Sequence, residues 1–290
     1  MATTTAGNNL TQRIRNHYNL LAPFYYLLWG QHVHHGYWDD ATDQSGQAVA
    51  QERLIQELYA FAGAPQEGQL IDIGCGYAGS LIWLAHHARL QGQGITLSRF
   101  QQLIGHINIR RQHLTHRLQV QVADAQHTWD VADGSRTLVW CIECSEHLSD
   151  RVHFAREAYR VLAPGGTLAL AAWLASTDAS SQATQLRQAV AHGMLCPPFG
   201  SAADYETWLR AAGFEDVAVR LITPHVIRTW DLSIALQQRP LLRWLSDHLG
   251  RDVAAFTASF ADLRQAYLDG AMDYGLFVAH KPRASESSRV

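Results

Sequence analysis

Leu70-Ile71-Asp72-Ile73-Gly74-Cys75-Gly76-Tyr77-Ala78-Gly79-Ser80 reads as a short buried strand that runs into a glycine turn and then a helix. The apolar run is followed at helical spacing by Leu81, Leu84, Ala85 and Ala88, the opening unit of a parallel α/β sheet. Gly74 and Gly76 let backbone approach a ligand with no Cβ in the way, and a helix starting near Ala78 aims its first N–H groups at the same place. A ligand site is therefore expected at the carboxyl end of this strand.

Gly74, Gly76 and Gly79 also satisfy the dinucleotide pattern G-x-G-x-x-G, so a nicotinamide-dependent oxidoreductase is the first rival. The second strand, expected over 94–98, argues against it. It carries Thr96 and Ser98 where a dinucleotide fold places an acid for the ribose. Asp72 instead puts a carboxylate just before the turn, which suits a ligand bringing positive charge and no phosphate. A phosphate-binding P-loop is excluded because Lys281 is the only lysine in the chain.

Further motifs follow in order: Gly94-Ile95-Thr96-Leu97-Ser98 with Gln101, Val122-Ala123-Asp124-Ala125, Glu143-Cys144-Ser145-Glu146-His147, and Leu162-Ala163-Pro164-Gly165-Gly166. Together with Asp72-Ile73-Gly74-Cys75-Gly76 they resemble the ordered motifs of class I S-adenosylmethionine-dependent methyltransferases, over roughly residues 10 to 282. His34-His35-Gly36-Tyr37-Trp38 and the strand at 94–98 are most similar to the branch holding γ-tocopherol methyltransferases, sterol C-methyltransferases, cyclopropane synthases and several natural-product sugar and alkaloid methyltransferases. The resemblance implies S-adenosylmethionine as cofactor and S-adenosylhomocysteine as product. It sets Tyr18, His34 and His35 beside the methionine part, Thr96 and Gln101 at the ribose hydroxyls, and Asp124, followed by Ala125, near the adenine amine. With Asp72, Gly74 and Gly76 these are the expected cofactor-binding residues.

The 290 residues are 47% hydrophobic, ample for a sizeable core, and a net charge of -3 gives no basic footprint for nucleic acid. No apolar run reaches membrane-spanning length and the first residues lack an apolar signal region, so a cytoplasmic enzyme with free cysteines and a small-molecule substrate is expected. Oligomeric state is left open.

The rhythm of the chain predicts an α/β, Rossmann-like, doubly wound, mostly parallel sheet with an antiparallel terminal strand. Residues 1–9 read as a disordered N-terminus, and 10–66 as a helical lid containing helices at 10–28 and 46–62. The cofactor-binding core spans 67–173, with helices expected at 81–90, 99–116 and 150–162. Residues 174–282 hold the remaining strands and, between 222 and 274, a helical insertion containing Trp230, Leu236, Leu241, Leu242, Trp244, Phe256 and Phe260, expected to cap the substrate cavity. Residues 283–290 read as a flexible tail.

Methyl transfer from a sulfonium is an in-line displacement, for which alignment and exclusion of water supply much of the catalysis. The loop after the fourth strand lies beside the switch point of the sheet; His147 and Glu146 are its candidates for proton removal, and Glu143 its candidate for holding the cofactor's amino group or the substrate. Cys141, Cys144 and His147 have a metal-like spacing, but no fourth ligand follows, and no metal is expected. His86, His87, His113 and His116 are read as surface residues. The expected reaction is O- or C-methylation of a small apolar specialised metabolite, isoprenoid-bearing, phenolic or indole-like; alternatives are N-methylation of an alkaloid or amine, O-methylation of a sugar, and a non-catalytic module that uses the cofactor only structurally.

Overall fold

The computed structural model describes the backbone of residues 2–178, 180–240, 243–244, 248 and 250–284. Among these residues one sheet is built from β1 (Glu67–Ile73), β2 (Arg89–Thr96), β3 (Leu118–Val122), β4 (Arg136–Ile142), β5 (Leu162–Ala175), β6 (Glu215–Leu221) and β7 (Met272–His280), in the order β3-β2-β1-β4-β5-β7-β6. β1 to β5 pair in parallel; β7 is antiparallel to both β5 and β6. Of the two late strands only β7 runs against the sheet, and it lies inside it, leaving β6 as an edge parallel to the rest. The strand order reverses between β1 and β4, so the loops leaving these two strands open onto one crevice.

The core forms on both faces because side chains alternate along each strand. Leu70, Leu138 and Trp140 pack with Leu54, Ile55 and Leu58 of α2 (Gln47–Phe61) and with Leu81 and Leu84 of α3 (Gly79–His87). Ile71, Ile73, Val139 and Cys141 pack on the other face with Phe154 and Ala158 of α5 (Arg151–Val161) and with Tyr205 and Leu209 of α7 (Ala202–Ala211). Between α3 and α5, α4 (Arg99–Arg111) lies beside β3, its first turn capped by Ser98, which accepts from the Gln101 N–H.

Several boundaries differ from the sequence expectation. Residues 2–9 are not disordered: α1 runs Ala2–Trp29. A polar segment without an apolar face extends readily from a helix already nucleated by packed neighbours. β2 starts at Arg89, so α3 ends at His87, short of Leu90. Arg89–Gln93 looks too polar for a strand, but pairing Glu67 to Arg89 through Ile71 to Gln93 is a backbone matter. α4 stops at Arg111, and the turn at Pro164-Gly165-Gly166 survives as an irregularity at the start of β5. The four histidines at 86, 87, 113 and 116 are exposed, and the four cysteines are free.

α6 (Ser181–Gly193) follows β5, and α8 (Thr223–Val226), α9 (Arg228–Gln237) and α10 (Arg251–Leu268) fill the insertion between β6 and β7. The insertion meets α1 through aromatic rings: Tyr25 lies 5.7 Å from Phe256, and Trp29 6.3 Å from Phe260. Trp244 takes no part in that packing, being 55% exposed, and Leu241 and Leu242 lie outside the described residues, as do 285–290 of the expected tail. No helix among the described residues is long and apolar enough to cross a membrane.

Candidate active site

Two adjoining cavities open at the carboxyl end of the sheet. The first encloses about 980 Å³, mouth included, under α1, and Tyr18, His34, Asp72, Gly74, Gly76, Thr96, Gln101, Asp124 and Ala125 all line it. Its floor is the turn after β1, where the N–H groups of Gly74 and Cys75 both donate to the Ile95 carbonyl of β2. Gly74 has φ +77°, and a Cβ there would overlap the Cys144 side chain, so only glycine fits. At the end of β2, Thr96 Oγ1 donates to Gln101 Oε1 at 2.6 Å, which leaves the glutamine amide as a donor. Asp124 borders the cavity, and its Oδ1 also closes a local turn by accepting from the Gln126 N–H at 2.9 Å.

The second cavity, about 670 Å³, lies between α1, the loop at 30–38 and the helical insertion; Tyr25, Trp29, Trp173, Met194, Trp230 and Phe256 form its apolar wall. Both cavities are lined by Ile14, Tyr18, Val33, His34, Glu143 and His147, which makes these residues the partition between them. His35, expected at the cofactor, lines only the second cavity, with its ring 4.8 Å from that of Tyr274 and 5.0 Å from that of Trp230. The reason is Glu143: its Oε1 accepts from the His35 backbone N–H at 2.7 Å, from His35 Nδ1 at 2.9 Å and from the Tyr274 hydroxyl at 2.8 Å. Gln51 fastens the same loop by donating to the His32 and His34 carbonyls at 2.7 and 3.0 Å.

Burial would raise the Glu143 carboxyl, but the His35 charge and hydrogen bonds outweigh it and hold the group at about 2. Engaged by three donors, Glu143 is a strut for the loop at 30–38, whereas the sequence expects it to hold the cofactor's amino group or the substrate. Glu146 differs in both respects. It lines neither cavity, its Oε1 accepts from the Trp173 N–H at 2.7 Å, and burial followed by the Glu143 charge lifts it to about 8. Of the three loop candidates His147 alone is a titratable base that lines both cavities without being saturated by donors. Its Nδ1 lies 3.3 Å from the Leu195 carbonyl, which makes Nδ1 the protonated nitrogen and leaves Nε2, 3.4 Å from the Tyr18 hydroxyl, as the acceptor. Burial lowers its pKa below 6.5, against the Leu195 hydrogen bond, so the ring is neutral near pH 7.

Residues 47–219 match the methyltransferase domain family. The tocopherol O-methyltransferase of Arabidopsis thaliana, a chloroplastic protein, is 30% identical over 97% of this chain and 85% of its own length. The chain belongs to the methyltransferase family. The 27-O-demethylrifamycin SV methyltransferase of Amycolatopsis mediterranei is 28% identical over 91% of this methyltransferase and 95% of its own chain. Among solved structures the cyclase SpnF superposes with a TM-score of 0.80 at 24% identity, covering 94% and 97% of the two chains, which shows a shared fold.

The methyl donor is S-adenosylmethionine, and the first cavity fits it. Asp72 Oδ2 is buried with no hydrogen-bond partner, an orphaned acceptor that a cationic ligand would satisfy. Burial lifts this carboxyl from 3.8 to about 8, a cost that a positive partner, itself a hydrogen-bond donor, would recover. No acid follows β2, so the methyltransferase offers nothing at that point for a dinucleotide ribose beyond Thr96 and Gln101.

Other residues of the site were silent in the sequence. Thr11 reaches the first cavity and accepts from Gln126 Nε2 at 2.5 Å, tying α1 to the loop after β3. Leu195 sits just past the end of α6 with φ +54°, a position that favours glycine and costs a leucine about 1 kcal/mol. A leucine at a helix end gives no hint of this; the contact with His147 joins segments 48 residues apart.

Proposed function

We propose that this methyltransferase alkylates an uncharged, largely apolar acceptor at a phenol-like hydroxyl, with His147 as the base. The observation that carries this reading is the partition: His147 borders both the donor cavity and the second cavity, where a transferring methyl has to pass. Bound S-adenosylmethionine supplies an electrophilic methyl group; the chain's own residues align the acceptor and take up its proton. A neutral imidazole with a pKa below 6.5 accepts a phenolic proton (pKa ~10) only as the new bond forms, which couples proton removal to transfer. Tyr18, whose hydroxyl is kept protonated by burial, can relay the proton only by passing its own to Nε2 as it takes the acceptor's.

The wall of the second cavity supports an uncharged acceptor. Among the described lining residues there is no lysine or arginine to meet a phosphate, and the one ionised carboxylate, Glu143, is already engaged by His35 and Tyr274. The names of the two relatives point the same way, since tocopherol and a rifamycin are both large, mostly apolar hydroxyl-bearing molecules.

Incubation with methyl-labelled S-adenosylmethionine and a panel of phenols, terpenoid alcohols, indoles and amines tests the proposal. Labelled product and S-adenosylhomocysteine should appear with phenols, and His147→Ala should abolish turnover while leaving S-adenosylhomocysteine binding intact. Label on an amine nitrogen, or full turnover by the variant, would refute the assignment. A reaction without methyl transfer would release no S-adenosylhomocysteine.

A further inference from the structure

We propose that Arg151 is a positioning residue for the reaction: it braces the turn bearing His147 against the loop bearing the Leu195 carbonyl, and so fixes the imidazole tautomer whose Nε2 is the proton acceptor. The inference rests on the reading of His147 as the base.

Arg151 opens α5 and touches neither cavity. It is buried, yet all three of its hydrogen bonds end on backbone carbonyls: Nε to Ser145 at 3.2 Å, Nη2 to Glu146 at 2.9 Å and Nη1 to Pro198 at 2.9 Å. Two of these acceptors belong to the short 3-10 turn, Ser145–His147, and the third to the segment after α6. A planar guanidinium with donors on separate edges can bridge two segments in a fixed geometry, which an ammonium cannot copy. Its plane is further held over Trp208, 5.7 Å from the ring centre.

What lies between the two braced segments is the hydrogen bond that selects the tautomer. The α6 end turns at Leu195, with the Cys196 N–H donating back to the Ala191 carbonyl at 2.8 Å, and this aims the Leu195 carbonyl at His147 Nδ1. Cys196 Sγ, 3.5 Å from the same nitrogen, directs its own proton to the Met194 carbonyl and so acts as a second, weak acceptor. At 3.3 Å the Leu195 contact is long enough that a small drift of either segment would lose it. Among the described residues no carboxylate is bonded to His147; the orienting group is a main-chain carbonyl, and main chain keeps its place only if its segment does. The charged or titratable groups facing His147 are Tyr18, Glu143, Cys196 and Arg151 itself.

Nitrogen-15 NMR of His147, read beside steady-state kinetics, tests the brace. In the unaltered protein the ring should carry its proton on Nδ1; a proton on Nε2 would overturn the proposal without recourse to any variant. Arg151→Gln should yield a mixture of tautomers and a kcat lower by about 10- to 100-fold, the usual cost of losing an orienting partner, with KM for S-adenosylmethionine unchanged. Arg151→Lys keeps the charge but not the fork, and should fall between the two, which separates bracing from electrostatics. Retention of the Nδ1 proton and of full kcat in Arg151→Gln would refute the inference alone; full activity in His147→Ala would remove the reading beneath it.

Discussion

Replacing Asp72 with asparagine separates what this carboxyl costs the fold from what it gives to the cofactor. In the folded protein burial holds it at about 8, against 3.8 for the ordinary side chain, and the group is only 2% exposed. Because the folded value is the higher one, stability falls as pH rises from about 4 to about 8 and is level above that. At about 1.4 kcal/mol per unit, the penalty at pH 7 is on the order of 4 kcal/mol. Asp72→Asn keeps the shape and removes the ionisation, so the ligand-free protein should be more stable at pH 7, by up to about 4 kcal/mol, and little changed at pH 4. Cofactor binding moves the other way. A cationic amino group beside Asp72 favours the carboxylate, so binding expels a proton, and affinity for S-adenosylhomocysteine should rise about tenfold between pH 6 and pH 7. Titration calorimetry over that interval checks this: the asparagine variant should bind more weakly and with a flat pH profile, and 5′-methylthioadenosine, which lacks the amino group, should show no such slope with either protein. An unchanged slope in Asp72→Asn would refute the reasoning.

The two glutamates flanking the turn after β4 should respond with opposite signs. Glu143 is held at about 2, so its contribution is present above pH 4.5 and lost as pH falls towards 2; Glu143→Gln should cost about 3 kcal/mol in urea unfolding at pH 7 and less at pH 3. Glu146 is lifted to about 8, so its burden grows from pH 4.5 to 8, and Glu146→Gln should stabilise the protein at pH 7 while leaving turnover within a few-fold. Gly74→Ala, with its positive φ and its overlap with Cys144, should lower both thermal stability and S-adenosylhomocysteine affinity, measurable by melting with and without ligand.

The parts of the fold that showed in the sequence are those whose causes are local. The strand-turn-helix at 67–87 needs an apolar run, two glycines and a helix start, all adjacent, and the residues placed at the first cavity from that pattern line it. β2 was read short because Arg89, Gln91 and Gln93 obey a pairing set by β1, not by their own polarity. His35 was set at the cofactor for want of knowing that Glu143, Tyr274 and Trp230, from three distant segments, surround it. Glu143 and Glu146 are three residues apart, and the sequence assigns proton removal to Glu146 and a holding role to Glu143 without showing how either is met. What divides them is whether histidine and tyrosine donors, or the Trp173 N–H and the Ser145 hydroxyl, meet the carboxylate, and folding alone decides that.

Ile14 and Tyr18 of α1 border both cavities, which therefore share one roof. The traffic of the two reactants is then joined: a swing of that helix wide enough to exchange the spent nucleoside also exposes the chamber beside it. Turnover under saturating conditions should accordingly acquire a dependence on solvent viscosity, which steady-state kinetics in graded sucrose checks.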